Sequence, residues 1–228
     1  NVTEGLQVKA GGDVVINGHI DAATVISEGD VTITKGFRGK NKGSIKAKGD
    51  LRVKFVENGT IDVRGNLFVG EAIMHSSIQA GGKVVVEGKG IIVGGFIHAG
   101  GDVDAKVVGS NLATRTEIKV GVDPLLRGEE ADKLNKHQEI VDNLTKAEKA
   151  IALLAEQDAQ GILAGPRKDQ LAKLRETQAF LALEETKMAE ELKILKDSIE
   201  SMQKGTIVVR QRLYPGVRIG IANSNHII

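Results

Sequence analysis

Val8-Lys9-Ala10-Gly11-Gly12-Asp13-Val14-Val15-Ile16 decides the fold, because its pattern returns five more times before the chain reaches residue 106. Read at alternate positions, the first copy is Val8, Ala10, Gly12, Val14, Ile16. The next are Val25, Ser27, Gly29, Val31, Ile33; Ile45, Ala47, Gly49, Leu51, Val53; and Ile61, Val63, Gly65, Leu67, Val69. Two more follow: Ile78, Ala80, Gly82, Val84, Val86, then Ile97, Ala99, Gly101, Val103, Ala105. Copies start 17, 20, 16, 17 and 19 residues apart. Apolar side chains at every second position put one face of an extended strand in a core and the other in water. A glycine stands in the middle of each run, usually followed by Asp, Asn or Lys. Such a corner needs either unusual backbone angles or close approach of neighbours. One copy is too small to bury its own apolar face, so copies must stack. The expected fold is a β-solenoid, a right-handed parallel β-helix, rising about 4.8 Å per coil and so about 30 Å long.

Outward from this core, Ile118 and Val120 read as half of a further copy. Connectors of variable length join the runs, and Lys35–Gly43, the most basic of them, reads as a protruding loop. At Val122-Asp123-Pro124 the period changes. Ile140, Leu144, Ala147, Ile151 and Leu154 are spaced 4-3-4-3. After a break at Gly161–Pro166, Leu171, Leu174, Gln178, Leu181, Glu185, Met188, Leu192, Leu195, Ile199 and Met202 keep 3-4 spacing, a heptad seam in two arms. A short Gly/Pro link folds long helices back on each other, so an antiparallel coiled-coil hairpin is expected. Its first arm, Gly128–Gln160, would run about 50 Å at 1.5 Å per residue. Gln178 and Glu185 are polar seam positions that set register or mark a wetter section. Beyond Gly205 the strand pattern returns around the turn Tyr214-Pro215-Gly216, closing an end whose strand edges would otherwise be exposed. The division is therefore residues 1–122 for the β-helix, 123–204 for the inserted hairpin and 205–228 for the closing strands.

Composition narrows the function. Net charge is +1 over 228 residues, and aromatic residues make up 3%. Residues 123–204 hold 17 acidic and 13 basic side chains, a net of −4. Neither the charge nor the aromatic content suits a nucleic-acid partner. No cysteine is present, which removes disulfides and thiolate chemistry and fits a reducing cytoplasm. There is no 18-residue apolar run for an integral membrane segment, and Asn1-Val2-Thr3 is not a signal peptide. The missing initiating Met reads as a piece cut from a longer protein.

The run Asp102-Val103-Asp104-Ala105-Lys106-Val107-Val108-Gly109-Ser110, then Thr116-Glu117-Ile118-Lys119-Val120-Gly121-Val122-Asp123-Pro124, resembles the flagellar assembly protein A family (DUF342). So does Gly94-Gly95-Phe96-Ile97-His98-Ala99-Gly100-Gly101 before it. A hairpin and then Tyr214-Pro215-Gly216-Val217-Arg218-Ile219 follow in that family's order. The resemblance covers nearly the whole chain. It implies a bacterial cytoplasmic β-helix linked to flagellar assembly and polar placement, without enzymatic activity, and preceded in the family by a separate N-terminal domain.

Candidate sites are few. His98 is the tempting residue, because β-helix acyltransferases use a histidine between coils. Alternation puts it on the outer face, and the spacing lacks the strict six-residue period of those enzymes, so it is expected to be a solvated surface histidine. His19, His75, His98, His137 and His226 are scattered without ligand spacing, so neither a metal site nor a cofactor is expected. Asp13, Asp30, Asp50 and Asp102 each follow a corner glycine and fit turn capping, as against the carboxylate ladder of a polysaccharide lyase, with Asp104 facing outward. Walker and dinucleotide fingerprints are absent. Two candidate interaction surfaces remain. One is the leftover apolar surface of the hairpin at Phe180, Leu183 and Ile194, where a protein partner or a second copy would land. The other is the basic stretch of Arg38, Lys40 and Lys42, which continues to Lys54. The expected function is a non-enzymatic scaffold in flagellar assembly or positioning. The alternatives are a carbohydrate-active or acyl-transferring β-helix enzyme and a self-assembling cytoskeletal solenoid.

Overall fold

The computed structural model describes residues 1–162, 164–201, 205–222 and 224–227. Leu163 in the expected break, Met202 of the expected seam and Lys204 at the expected boundary lie outside them. The chain divides into two compact units. Asn1–Arg127 joins Ile199–Ile228 in the first, and Gly128–Ser198 forms the second.

The first unit is a β-solenoid of parallel strands. Its strands are β1 (Gln7–Ala10), β2 (Val14–Ile16), β3 (Ile20–Asp21), β4 (Thr24–Ser27), β5 (Val31–Arg38), β6 (Ser44–Ala47), β7 (Leu51–Glu57) and β8 (Thr60–Val63). They continue as β9 (Leu67–Ala80), β10 (Val84–Val86), β11 (Ile91–Ala99), β12 (Val103–Val108) and β13 (Thr116–Val120). The register is the one that aligning the sequence copies predicts. On one ladder Val8 pairs with Val25, then Ile45, Ile61, Ile78, Ile97 and Ile118 follow in turn. On a second, Val14 pairs with Val31, then Leu51, Leu67, Val84 and Val103 follow. From Val25 and Val31 onward these side chains are buried in one core.

A third ladder runs where the sequence reading placed only connectors. Ile20, Phe37, Val56, Ile73, Ile92 and Val108 stack one above the next, each fully buried. The expectation of a protruding loop at Lys35–Gly43 is therefore wrong for its first half. Lys35–Arg38 belongs to β5, and Phe37 is among the largest fully buried side chains in the molecule. Register shifts between Ile33 and Gly36 and between Val53 and Phe55 break the two-residue alternation, so the third run does not read as a strand. The turn beyond it is exposed, and there Lys40 and Asn41 take φ of 48° and 60°.

Two helices leave the solenoid after β13: α1 (Pro124–Ala159) and α2 (Gly165–Ser201). Asp123 caps α1, its Oδ1 accepting from Leu125 N–H at 2.8 Å and Leu126 N–H at 3.3 Å. The helix starts at Pro124, four residues ahead of the expected first arm. Pro166, expected in the break, stands in the first turn of α2, where its missing N–H leaves no bond unmade. Inside the second unit the expected seam residues from Ile140 to Leu195 are all less than fully exposed, with Ala147, Leu171 and Leu192 buried. Ion pairs join Lys133 to Glu191 and Asp158 to Lys168, the latter at 3.4 Å, and a hydrogen bond joins His137 to Glu185 at 3.0 Å. The polar seam residue Glu185 thus faces a polar partner, His137, one element away.

After α2 the chain re-enters the solenoid as β14 (Ile207–Leu213), β15 (Val217–Ile221) and β16 (Ser224–Ile227). β14 extends β12 in parallel, and β15 extends β13 with Ile118 opposite Ile219. β16 then turns back antiparallel on β15, ending the parallel repeat on that ladder.

Candidate interaction surfaces and the corner ladder

The corner carboxylates are the residues most suggestive of chemistry, and the geometry gives them another task. Asp13 Oδ1 accepts from Asp30 N–H at 2.8 Å, and Asp30 Oδ1 from Asp50 N–H at 2.8 Å. Asp50 Oδ1 accepts from Asn66 N–H at 2.8 Å and from the Asn66 side-chain amide at 3.0 Å. Asn66 Oδ1 accepts from Lys83 N–H at 3.0 Å, and Asp102 Oδ1 from Thr206 N–H at 2.7 Å. Each side chain caps the backbone of the next coil, not its own turn as the sequence suggested. The corner glycines follow from this. A Cβ on Gly29, Gly49, Gly65 or Gly82 would stand 2.0–2.4 Å from the Asx oxygen of the coil before. None of these four takes a positive φ, so close approach, and not backbone angle, requires glycine here.

One rung is missing. Lys83 occupies the Asx position and offers no acceptor to Asp102 N–H. Gly101 above it nonetheless keeps the clearance, with its nearest neighbour 3.3 Å from an added Cβ. Replacing Lys83 with Asn should complete the rung as Asn66 does one coil earlier. The added hydrogen bond is worth about 0.5–1.5 kcal/mol. Against it stands the loss of the Lys83 ammonium over the Phe68 ring, at 5.7 Å, a face that Arg52 also covers at 4.8 Å. A thermal melt of Lys83→Asn should show a higher midpoint than the parent; an unchanged or lower midpoint would refute the rung's value.

His98 faces outward as alternation requires, paired with Gln79 on one side and Lys119 on the other. It is not the solvated histidine expected. Its ring lies 5.5 Å from Phe96, its Nε2 is enclosed, and Glu117 Oε1 stands 3.9 Å away, beyond hydrogen-bond reach. Burial first, and then the Lys119 ammonium, hold its pKa below the usual histidine value, with Glu117 pulling the other way. Lys119 in turn sits 2.9 Å from Glu117 and keeps that carboxyl below its ordinary range. A cleft of about 470 Å³ is lined by Gly95, Phe96, His98, Arg115 and Glu117. The arrangement is a half-buried neutral imidazole beside an ion pair. At 3.9 Å the carboxylate does not orient it as a catalytic dyad would.

The basic stretch is largely neutralised within the solenoid. Arg38 lies 3.9 Å from both Asp21 and Glu57 and over the Phe55 ring at 5.4 Å. Lys42 reaches Glu4 at 3.3 Å, Lys46 reaches Asp62 at 3.7 Å, and Lys54 reaches Glu71 at 3.3 Å. Lys40 stands in the exposed turn and shares no element with Arg38. On α2, Phe180, Leu183 and Ile194 are 60%, 56% and 63% exposed. Steps of three and eleven residues place them along one side of the helix, away from the expected seam positions. Leu153 on α1 is as exposed, and the sequence hides it because Ile151 and Leu154 beside it take the heptad positions.

Among the described residues no group of three His, Cys, Asp or Glu could hold a metal ion. No helix among them is long and apolar enough to cross a membrane.

A β-solenoid interrupted by a pair of long helices and then resumed is the class of protein these elements define. The chain belongs to the flagellar assembly protein A family, whose β-solenoid domain matches residues 1–228. No curated protein and no solved structure matches it.

Proposed function

We propose that the chain is a non-enzymatic scaffold in bacterial flagellar assembly or positioning, acting in the cytoplasm, with its helical insertion as the arm that holds a protein partner. Membership of the family implies the flagellar role. The observation that carries the scaffold reading is the helical unit itself. Its residue numbers rise on α1 as they fall on α2 through Lys133–Glu191, His137–Glu185 and Asp158–Lys168. That order favours an antiparallel coiled coil, and Phe180, Leu183 and Ile194 are apolar positions that α2 leaves uncovered. A surface of that kind is a landing site for a second helix, from a partner or from another copy. The solenoid, right-handed in this reading, supplies a rigid base. Against the enzyme alternative, Asp13, Asp30, Asp50 and Asp102 each have an oxygen engaged by a backbone amide. The basic residues Arg38, Lys40 and Lys42 are a secondary contact surface, weakened by their acidic neighbours.

Replacing 128–204 with a flexible Gly/Ser linker of about ten residues, enough for a 15–20 Å gap, tests this. The shortened protein should keep a β-rich circular dichroism spectrum. Put back in place of the full chain in a flagellated host, it should lose swimming in soft agar and its capture of flagellar proteins. A β-body that unfolds, or one that folds and keeps both properties, sinks the proposal.

A further inference from the structure

The last strand on the β12 ladder leaves an edge unused. Among the described residues β14 pairs with β12 alone. Val103 N–H donates to Thr206 O at 2.9 Å, with Val103 opposite Ile207 and Ala105 opposite Val209. In a parallel ladder this register turns the N–H and C=O of Ile207 and Val209 away from β12, toward the open edge. The inner side chains are unfinished as well. Val103, Ala105 and Val108 are buried, whereas Ile207, Val209 and Leu213 directly above them are only partly so.

The outer side chains say what would complete it. Outward charges on this solenoid pair with the opposite sign in the neighbouring coil: Asp21 with Arg38 and Arg38 with Glu57, Lys46 with Asp62, Lys54 with Glu71. At the final rung Asp104 pairs with Arg210. The Asp21–Arg38–Glu57 series has an arginine with a carboxylate on each side, and Arg210 has one on only one side. Arg212 adds a second cation on the same strand, stacked over Tyr214 at 5.6 Å. We propose that the outer edge of β14 is a strand-acceptor site for an extended segment of a partner protein, apolar at the positions facing the core and acidic at those facing out. Backbone hydrogen bonds would supply affinity and the alternating side chains specificity. This surface belongs to the solenoid and is independent of the helical arm. The competing view is that Arg210 and Arg212 merely guard an edge against pairing.

A short fluorescent peptide alternating Val and Glu, titrated with the full chain and followed by anisotropy, distinguishes the two. Binding is expected, with the amides of Ile207 and Val209 newly protected from hydrogen exchange. A peptide alternating Val and Lys should bind roughly tenfold more weakly, about 1.4 kcal/mol. Val209→Pro removes an edge donor but no bond to β12, so the solenoid should fold by circular dichroism. Its affinity for the acidic peptide should fall roughly tenfold, about the worth of one hydrogen bond with its strand contacts. Arg212→Glu, which leaves the Asp104–Arg210 pair intact, should remove the preference for acid over base. No binding of the acidic peptide, equal binding of the acidic and basic ones, or undiminished binding by Val209→Pro overturns the proposal. So does a dimer in light scattering that Val209→Pro abolishes, which would make a second copy the occupant.

Discussion

Replacing Phe37 with alanine should destabilise the solenoid by about 3–5 kcal/mol, the range for deleting a fully buried phenyl ring. The ring has no solvent exposure, although Lys35, Arg38, Lys40 and Lys42 surround it in sequence. It stands in the third ladder between Ile20 and Val56. Its edge lies against glycines: a Cβ added to Gly59 would meet Phe37 Cε1 at 2.3 Å, and one added to Gly43 would meet Cε2 at 3.0 Å. Two neighbouring coils have therefore given up side chains to admit the ring, and nothing nearby can fill the void it leaves. Urea unfolding should show a lower midpoint with an unchanged slope, since the native surface is otherwise the same. Were this segment a solvated basic loop, the substitution would cost within about 0.5 kcal/mol, as surface changes do. A loss of under 1 kcal/mol would sink the third ladder's role in the core.

Much of this architecture is legible in the chain because the solenoid repeats a local rule. Alternation from Val8 to Ala105 fixes which side chains face inward, and aligning the six copies also fixes the register between coils. The third ladder escapes because it is short and preceded by register shifts, so the two-residue period is lost just where Phe37, Val56 and Ile73 turn inward. Asp13, Asp30 and Asp50 are recognisable as capping residues, but the amides they cap are 16–20 residues away. Turn statistics describe only local partners. His98 illustrates the same limit. Its side of the strand follows from Ile97 and Ala99, while its half-burial depends on Glu117 and Lys119 in the next coil. In the helical unit the heptads mark the expected seam, and Glu185 stands out as polar within it. Its partner His137 could not be read, because pairing across two helices depends on the geometry of the link between them.

The corner ladder makes a prediction that a simple turn would not. Gly49→Ala should cost about 2–4 kcal/mol, combining overpacking with the loss of a capping hydrogen bond. The new Cβ would lie 2.0 Å from Asp30 Oδ1 and 2.9 Å from both Asp30 N and Gly29 C. The carboxylate can swing away, but only by releasing Asp50 N–H, which it accepts at 2.8 Å. The backbone atoms cannot swing. Asp30→Ala alone should cost about 1–2 kcal/mol, for one charge-assisted bond to an amide that water can still reach. The two effects overlap, because Asp30→Ala removes both the closest clash and the bond that the clash would break. The double variant should therefore be no less stable than Gly49→Ala alone by more than a few tenths of a kcal/mol. A coupling of at least about 1 kcal/mol separates that from additivity, well above the 0.3–0.5 kcal/mol scatter of independent sites. If the glycine served a backbone angle instead, its cost would be the same with or without Asp30. Additive losses in chemical denaturation would thus refute the capping origin of Gly29, Gly49, Gly65 and Gly82, each of which stands one coil beyond an Asp or Asn.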